Sequence, residues 1–216
     1  MNSLSRICPL VTVSVLALTS FVHAENKKVV FLADKGKNTT VHAHESGNAI
    51  LANALEESEL GFDTAQFKGW PTDPKAFDGA DSVVIFCNGG KGHLVMNHLD
   101  QFEKLIDSGV GFVFMHYAVE VPIGRAGVLM REAMGGYFET HWSVNPHWTA
   151  DFKSLPKHPI TRGVKPFTQK DEWYFHMRFQ PDMEGVTPIL SAHPPKETMD
   201  RKDGPHSNNP QVRKSM

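Results

Sequence analysis

Residues 82–90 read SVVIFCNGG, an apolar run that stops at an Asn-Gly-Gly turn. Short apolar runs bounded by turn residues are typical of buried strands in parallel sheets. Comparable runs lie at residues 28–33, 62–70 and 110–115, and helical patterns lie at 45–60, 93–108 and 125–134. Strands that alternate with helices predict βαβ units, and hence an α/β fold with a mainly parallel sheet.

Two of the helical patterns carry specific expectations. In residues 45–60, the side chains of Ile50, Leu51, Ala54 and Leu55 are spaced to share one apolar face. Residues 93–108 carry apolar side chains spaced for one face along their whole length, which predicts a single helix.

Composition excludes several classes of protein. The chain has 216 residues and a formal net charge of −2, so it lacks the basic surface that a nucleic-acid partner requires. Its 40% hydrophobic and 21% charged residues argue against disorder. Two cysteines cannot form a disulfide framework. The 12 histidines stand out, because histidine is the commonest metal ligand and titrates near neutral pH.

The first 24 residues have the pattern of a secretory signal peptide. Arg6 precedes the apolar residues 9–22, and Val22-His23-Ala24 resembles a cleavage site. The apolar run is shorter than the roughly 20 residues that a membrane-spanning helix needs. We therefore expect cleavage after Ala24, export to the periplasm or medium, and no transmembrane anchor in the mature chain.

Polar residues follow several predicted strands. In an open parallel sheet ligands bind at the carboxyl ends of the strands, so residues 40–45, 87–93 and 116–120 should be neighbours. Alternate residues of an extended stretch face the same way, so His42 and His44 could both face the site beside Glu45. They could equally be solvated loop histidines before a helix. His116 is either a ligand or general base, or a core histidine.

The turn at residues 87–93 offers backbone N–H groups to a polar ligand, although it matches no nucleotide-binding motif. Cys87 could be a nucleophile, but a single cysteine that closes an apolar strand is more often buried. Further along, residues 139–142, 146–148 and 171–176 place His and Glu beside Trp and Tyr. These clusters are either aromatic core or the lining of a pocket for a sugar ring. We interpret residues 137–193 as an elaboration over the strand ends, and expect the polar tail 194–216 to be disordered.

Several motifs together resemble the ThuA-like family, which is named for trehalose utilisation. They lie at 114–122 (FMHYAVEVP), 135–151 (GGYFETHWSVNPHWTAD), 158–164 (HPITRGV), 171–174 (DEWY) and 203–207 (DGPHS). The resemblance covers residues 27–216. It implies a flavodoxin-like, class I glutamine amidotransferase-like three-layer sandwich, and a role in carbohydrate catabolism in a trehalose and keto-sugar context.

The chain departs from this superfamily in two ways. Amidotransferases place a nucleophilic cysteine where this chain has His116, so the resemblance does not imply a glutamine amidotransferase. Family members also continue with a Gly-His-Phe-His type segment and a closing helix. We therefore expect the ThuA-like domain, residues 27–216, to be incomplete at its C-terminal end.

Together these features predict an exported protein that processes a small saccharide or keto-sugar, as a hydrolase or an isomerase/lyase. The predicted catalytic residues are His116, Glu45 and Glu172. The predicted substrate-binding residues are Asn88, Gly89, Tyr117, Glu120, Trp142, His147 and Trp173. Imidazoles and carboxylates suit Zn²⁺ or a similar divalent ion, with His44, His116 and His141 as its ligands. The alternatives are a non-catalytic sugar-binding protein and, more remotely, a thiol hydrolase that uses Cys87.

Overall fold

Four parallel strands form the centre of the molecule. The computed structural model describes residues 25–35 and 42–199. Within them a four-stranded parallel sheet has the spatial order β2-β1-β3-β4. Its strands are β1 (Lys27–Ala33), β2 (Phe62–Lys68), β3 (Ala80–Phe86) and β4 (Gly111–Phe114). The predicted strands and their parallel arrangement are therefore confirmed.

Helices cover both faces of this sheet and make three layers. Helix α1 (His44–Glu57) packs on one face, where Ala52 lies against Phe31 and Val84. Helices α2 (Leu99–Asp107) and α3 (Arg125–Met134) pack on the other face. Side chains of these two helices and of β1 and β3 together form the larger core. It includes Val30, Leu32, Val83, Ile85, Phe102, Leu129 and Met130. After Lys27 and Lys28, β1 is buried on both faces, and this part of the strand is continuously apolar.

The buried face of α1 differs from the predicted one. The helix buries His44, Asn48 and Ala52, whereas Ile50 is 69% exposed. A side chain at Gly47 would clash with the ring of Phe86, since an added Cβ would lie 2.7 Å from its Cε1. The helix thus approaches the sheet through small and polar residues, a pattern that apolar periodicity does not detect.

The single helix predicted over residues 93–108 is wrong. The structure has a 3₁₀ turn at Leu94–Asn97, a break at His98, and then α2. His93 caps the start of this turn, because its Nδ1 accepts a hydrogen bond from the Val95 amide, and its Nε2 pairs with the Ala118 carbonyl at 2.8 Å. Burial lowers the pKa of His93 to about 4, so this motif histidine is a neutral core residue.

The remaining described residues form the predicted elaboration. Strands β5 (Glu120–Val121), β6 (Gly136–Glu139) and β9 (Arg178–Phe179) form one small sheet, and β7 (His147–Phe152) and β8 (Phe167–Glu172) form an antiparallel hairpin. The expected strand at 148–152 is confirmed. The strand-like piece expected at 173–179 is reduced to β9 and a bridge between Phe175 and Val144.

The two ends of the chain contribute one short element to the described structure. A short helix α4 (Lys196–Met199) ends the described part. The predicted signal peptide and most of the predicted disordered tail lie outside the described residues. In the part of the chain that the structure describes, no helix has the length and apolar character needed to cross a membrane.

Candidate functional site

The carboxyl ends of β1, β3 and β4 meet at one edge of the sheet. Asp34, which follows β1, accepts hydrogen bonds from the Asn88 backbone amide at 3.0 Å and from its side-chain Nδ2 at 2.5 Å. The other oxygen of Asp34 pairs with Nδ1 of His44 at 2.7 Å. The predicted grouping of the segments after these strands is therefore confirmed for their described residues.

Asp34 fixes the orientation of His44. Burial alone would raise the pKa of Asp34, but hydrogen bonds from Asn88 and His44 hold it below its usual value. The carboxylate therefore accepts from Nδ1–H of His44, and Nε2 of the same ring is buried without a hydrogen-bond partner among the described residues. The His44 ring lies 4.5 Å from Phe86 and 5.6 Å from the ring of His42.

A hydrogen-bonded array runs through His116. Its Nε2 lies 3.0 Å from Nε2 of His42, and its Nδ1 lies 3.1 Å from the hydroxyl of Tyr174. The same hydroxyl lies 3.2 Å from Oε2 of Glu172, whose other oxygen accepts from Nδ2 of Asn145 at 2.7 Å. We name these four residues, His42, His116, Tyr174 and Glu172, the His116 array.

The hydrogen bond from Tyr174 to Glu172 sets the direction of the other hydrogen bonds in the His116 array. Tyr174 donates to Glu172, and its oxygen accepts from Nδ1–H of His116. Burial and the neighbouring Glu172 raise the pKa of Tyr174, which keeps its proton in place. Nε2 of His116 then carries a lone pair, to which Nε2–H of His42 donates. The basic atom of the array is therefore Nε2 of His116.

His116 is held in an uncommon backbone conformation. Its φ is +52°, in the left-handed region that few non-glycine residues adopt. Burial lowers its pKa below 6.5, the charge of Glu172 raises it, and His42 lowers it further. The net effect keeps His116 unprotonated, and so able to accept a proton, at neutral pH. Strain of this kind clusters at functional sites.

A second carboxyl group forms another wall of the site. Glu120 is only 7% exposed and accepts a hydrogen bond from Thr140 at 2.7 Å. Burial raises the pKa of Glu120, so it favours the protonated form more than an exposed glutamate does. Gly89 lies against this wall: an added Cβ would be 2.5 Å from the Tyr117 carbonyl oxygen and 2.7 Å from Cβ of Glu120. Asn88, Gly89, Tyr117 and Glu120, all predicted to bind substrate, are thus neighbours.

Two other predicted site residues contact no member of the His116 array in the hydrogen bonds and ring contacts of the described residues. They are Glu45, predicted to be catalytic, and Trp142, predicted to bind substrate. Glu45 forms an exposed ion pair with Lys68 of β2 at 2.6 Å and lies outside the His116 array. The ring of Trp142 lies 3.8 Å from the guanidinium carbon of Arg178 and stacks on His176 with the ring centres 4.6 Å apart.

The β7–β8 hairpin and the residue that follows it carry His147 and Trp173, two further residues predicted to bind substrate. His147 is exposed at the start of β7, where it pairs in register with Glu172. Trp173 packs against Phe152 and donates from Nε1 to the Gln169 carbonyl at 3.0 Å. Its neighbours in the sequence, Glu172 and Tyr174, belong to the His116 array, so Trp173 packs the segment that carries them.

The three predicted metal ligands do not converge. His44 is turned toward Asp34, and His141 is exposed near Glu120, whose pKa its charge lowers. Within residues 25–35 and 42–199, no group of three His, Cys, Asp or Glu side chains is arranged to hold a metal ion. The nitrogen that faces Nε2 of His116 belongs instead to His42.

Cys87 is a core residue. It is fully buried within the larger core, and burial raises its pKa to about 12. The attacking species in thiol chemistry is the thiolate, which such a pKa disfavours at neutral pH. The geometry supports the interpretation of Cys87 as a buried side chain over that of a nucleophile.

We therefore expect Cys87 to resist alkylation by iodoacetamide in the native protein at about pH 8 and to react fully in denaturant. Mass spectrometry of the peptide that contains Cys87 measures both rates. Rapid alkylation of the native protein would support the alternative of a thiol hydrolase.

Besides His42, which the sequence places only as one that could face the site, three residues of this site were not among the predicted site residues. Asp34 directly follows β1, so the rule that ligands bind at strand ends could have identified it. Tyr174 lies next to Glu172 in an aromatic run, but only tertiary contacts show that its hydroxyl links two other groups. Asn145 carried no signal in the sequence.

Comparisons with known proteins support the family resemblance. The model of the ThuA family, described as trehalose utilisation, matches residues 28–213. A solved ThuA-like protein of Bacteroides uniformis is 14% identical, with a TM-score of 0.52 over 82% of this chain and 78% of that chain. Another, from Parabacteroides merdae, is 18% identical, with a TM-score of 0.53 over 81% of this chain and 71% of that chain. At these identities the structures show the fold alone. A search of curated proteins found no match. The family model covers nearly the whole described chain, and the protein therefore belongs to the ThuA family, with the α/β, flavodoxin-like sandwich of its ThuA-like neighbours.

Proposed function

We propose that the protein is an exported carbohydrate-processing enzyme that acts on a small saccharide or keto-sugar by acid–base chemistry. The observation that carries this proposal is the His116 array. An imidazole nitrogen held unprotonated, a carboxyl group linked to it through a tyrosine, and a second, buried carboxyl group whose pKa is raised are the groups that proton transfer requires. The family's description, trehalose utilisation, supports a saccharide as the substrate.

In this proposal His116 is the base. A sugar hydroxyl or an acidic C–H group takes the place of His42 at Nε2 of His116 and gives up its proton there. The resulting imidazolium is stabilised by Glu172, whose Oε2 lies 3.8 Å from the same nitrogen, and by the hydrogen bond of Nδ1–H to Tyr174. Glu120, whose raised pKa favours its proton, supplies the acid. Both hydrolysis and isomerisation or elimination need such a pair.

The direct test is turnover of a panel of small saccharides and keto-sugars, trehalose included, with binding measured by calorimetry on the same samples. Turnover of any member that falls strongly, but measurably, in Glu172→Gln and in Glu120→Gln supports the proposal. Binding without turnover across the panel supports the alternative, a non-catalytic sugar-binding protein. A specific observation favours that alternative: Cys87, the single cysteine among the described residues, is buried and unsuited to attack.

The role of a metal is a separate question. Elemental analysis of the purified protein by ICP-MS, with activity measured after chelation, decides between metal-assisted and purely acid–base versions. A stoichiometric metal whose removal stops turnover would replace the acid–base version.

Export is proposed from residues 1–24 alone. Mass spectrometry of the protein recovered from its native host should give an N-terminus at Glu25. An intact Met1 N-terminus on a cell-internal protein would contradict export.

The pKa of His116 should respond in opposite directions to its two neighbours. Glu172→Gln removes a negative charge that raises this pKa, so the pKa should fall. His42→Gln removes a group whose positive charge lowers it, so the pKa should rise. Since a base works only when unprotonated, the acid limb of kcat/KM should move to lower pH in the first variant and to higher pH in the second.

NMR titration of the His116 ring measures these shifts without a substrate. His193→Gln, a change at an exposed histidine, serves as the control and should leave the titration unchanged. Shifts of the same sign in both variants would mean that the array is not the electrostatic environment of His116.

A further inference from the structure

Unpaired polar atoms concentrate on the first two turns of α1. In residues 25–35 and 42–199, four buried side-chain nitrogen or oxygen atoms have no hydrogen-bond partner, and three of them belong to His44 and Asn48. Asn48 is only 2% exposed, yet neither its amide oxygen nor its amide nitrogen is paired. Buried polar groups are normally hydrogen-bonded, so an amide with both ends unpaired indicates a missing partner.

Asn48 lines a crevice between α1 and β2, which we name the α1–β2 crevice. Its volume is about 170 Å³. Among its lining residues are Phe31, Ala33, Glu45, Asn48, Gln66 and Lys68. A cavity of about 150 Å³ accommodates a benzene molecule, so this crevice has room for one six-membered ring.

The lining of the crevice selects for a neutral, hydroxylated ligand. Its charged members, Glu45 and Lys68, form an ion pair at 2.6 Å and neutralise each other. The amides of Asn48 and Gln66 each offer a donor and an acceptor, and a hydroxyl group can satisfy both. Phe31 belongs to the lining but is only 1% exposed, so the contacts that the crevice offers a ligand are mainly polar.

We propose that the α1–β2 crevice binds a neutral polyhydroxylated ring, anchored by the amide of Asn48. The crevice is distinct from the His116 array, because its lining includes no member of that array. The two are nevertheless close through α1, since His44, one turn before Asn48, stacks on His42. The ring is either a free monosaccharide or, resting on the proposed function, the second ring of a saccharide whose first ring lies at His116.

NMR of the full-length wild-type protein tests the proposal directly. D-glucose and, separately, maltose are titrated while the side-chain amide signals of Asn48 and Gln66 are followed. Saturable shifts with D-glucose identify a free monosaccharide as the ligand. Shifts with maltose alone, accompanied by shifts of the His116 ring, identify the second ring of a longer saccharide. Unshifted amides with both sugars overturn the proposal, whatever the turnover assays show.

Asn48→Leu provides a second test, since leucine is similar in size but makes no hydrogen bonds. We expect sugar binding at the crevice to weaken at least tenfold, while Tm rises because a buried unpaired amide has been removed. Asn53→Leu, an exposed position on the same helix, is the matched control and should leave binding unchanged. A higher Tm in Asn48→Leu with unchanged sugar affinity would show that the crevice holds only water, and would overturn the proposal.

Discussion

His116→Asn should lower kcat by about 10²- to 10⁴-fold, the usual contribution of a general base, while substrate affinity changes little. Asparagine has no basic nitrogen, so the proton has no acceptor at this position. It is also among the few residues that tolerate a left-handed backbone, which His116 adopts with φ of +52°. The variant therefore removes the base without adding backbone strain, which alanine would do.

Steady-state kinetics on the best substrate, with calorimetry for binding, measures this effect. The control is His193→Asn, at an exposed histidine, which should retain full activity. If His116→Asn keeps a tenth or more of the wild-type kcat, His116 is not the base. If it loses binding instead, the sugar-binding alternative gains support.

Gly89→Ala should destabilise the fold by about 1–3 kcal/mol, the range found when atoms are forced into a well-packed site. The added Cβ would lie 2.5 Å from the Tyr117 carbonyl oxygen and 2.7 Å from Cβ of Glu120. Neither neighbour is the flexible end of a side chain, so the backbone of one segment has to move. Activity should fall as well, because the displaced wall carries Glu120.

Denaturant unfolding followed by circular dichroism measures the loss of stability. Gly92→Ala is the matched control in the same turn, because no atom lies within 4 Å of its added Cβ. We expect the control to change the free energy of unfolding by less than about 0.5 kcal/mol. Equal stability of the two variants would mean that the turn is free to adjust.

Buried parallel strands have continuous apolar sequences, and for this reason the central sheet is predicted well. The same reasoning locates Asn88 and His116, since residues after such strands share one edge. It fails for α1, whose buried stripe of His44, Asn48 and Ala52 is mostly polar or small. Apolar periodicity identifies a packed face only when that face is apolar.

The partners of His116 could be predicted only in part. The residue types in 171–176 indicate a lined pocket, but β8 is almost wholly exposed and carries no alternating pattern. The position of Tyr174 depends on contacts far away in the chain, such as the bridge between Val144 and Phe175. His141 shows the opposite case, since its place in a His-rich motif suggested a ligand and the structure puts it beside Glu120.

The His116 array joins residues that are positioned by two different sheets. His116 follows a strand of the central sheet, whereas Glu172 and Tyr174 lie at the end of the β7–β8 hairpin and just beyond it. If His116 is the base, as proposed, substitutions in the hairpin change the partners of the base without changing the strand that positions it. Under the proposed function, a change of substrate preference would then require substitutions in the hairpin alone, and the central sheet that carries His116 would stay the same.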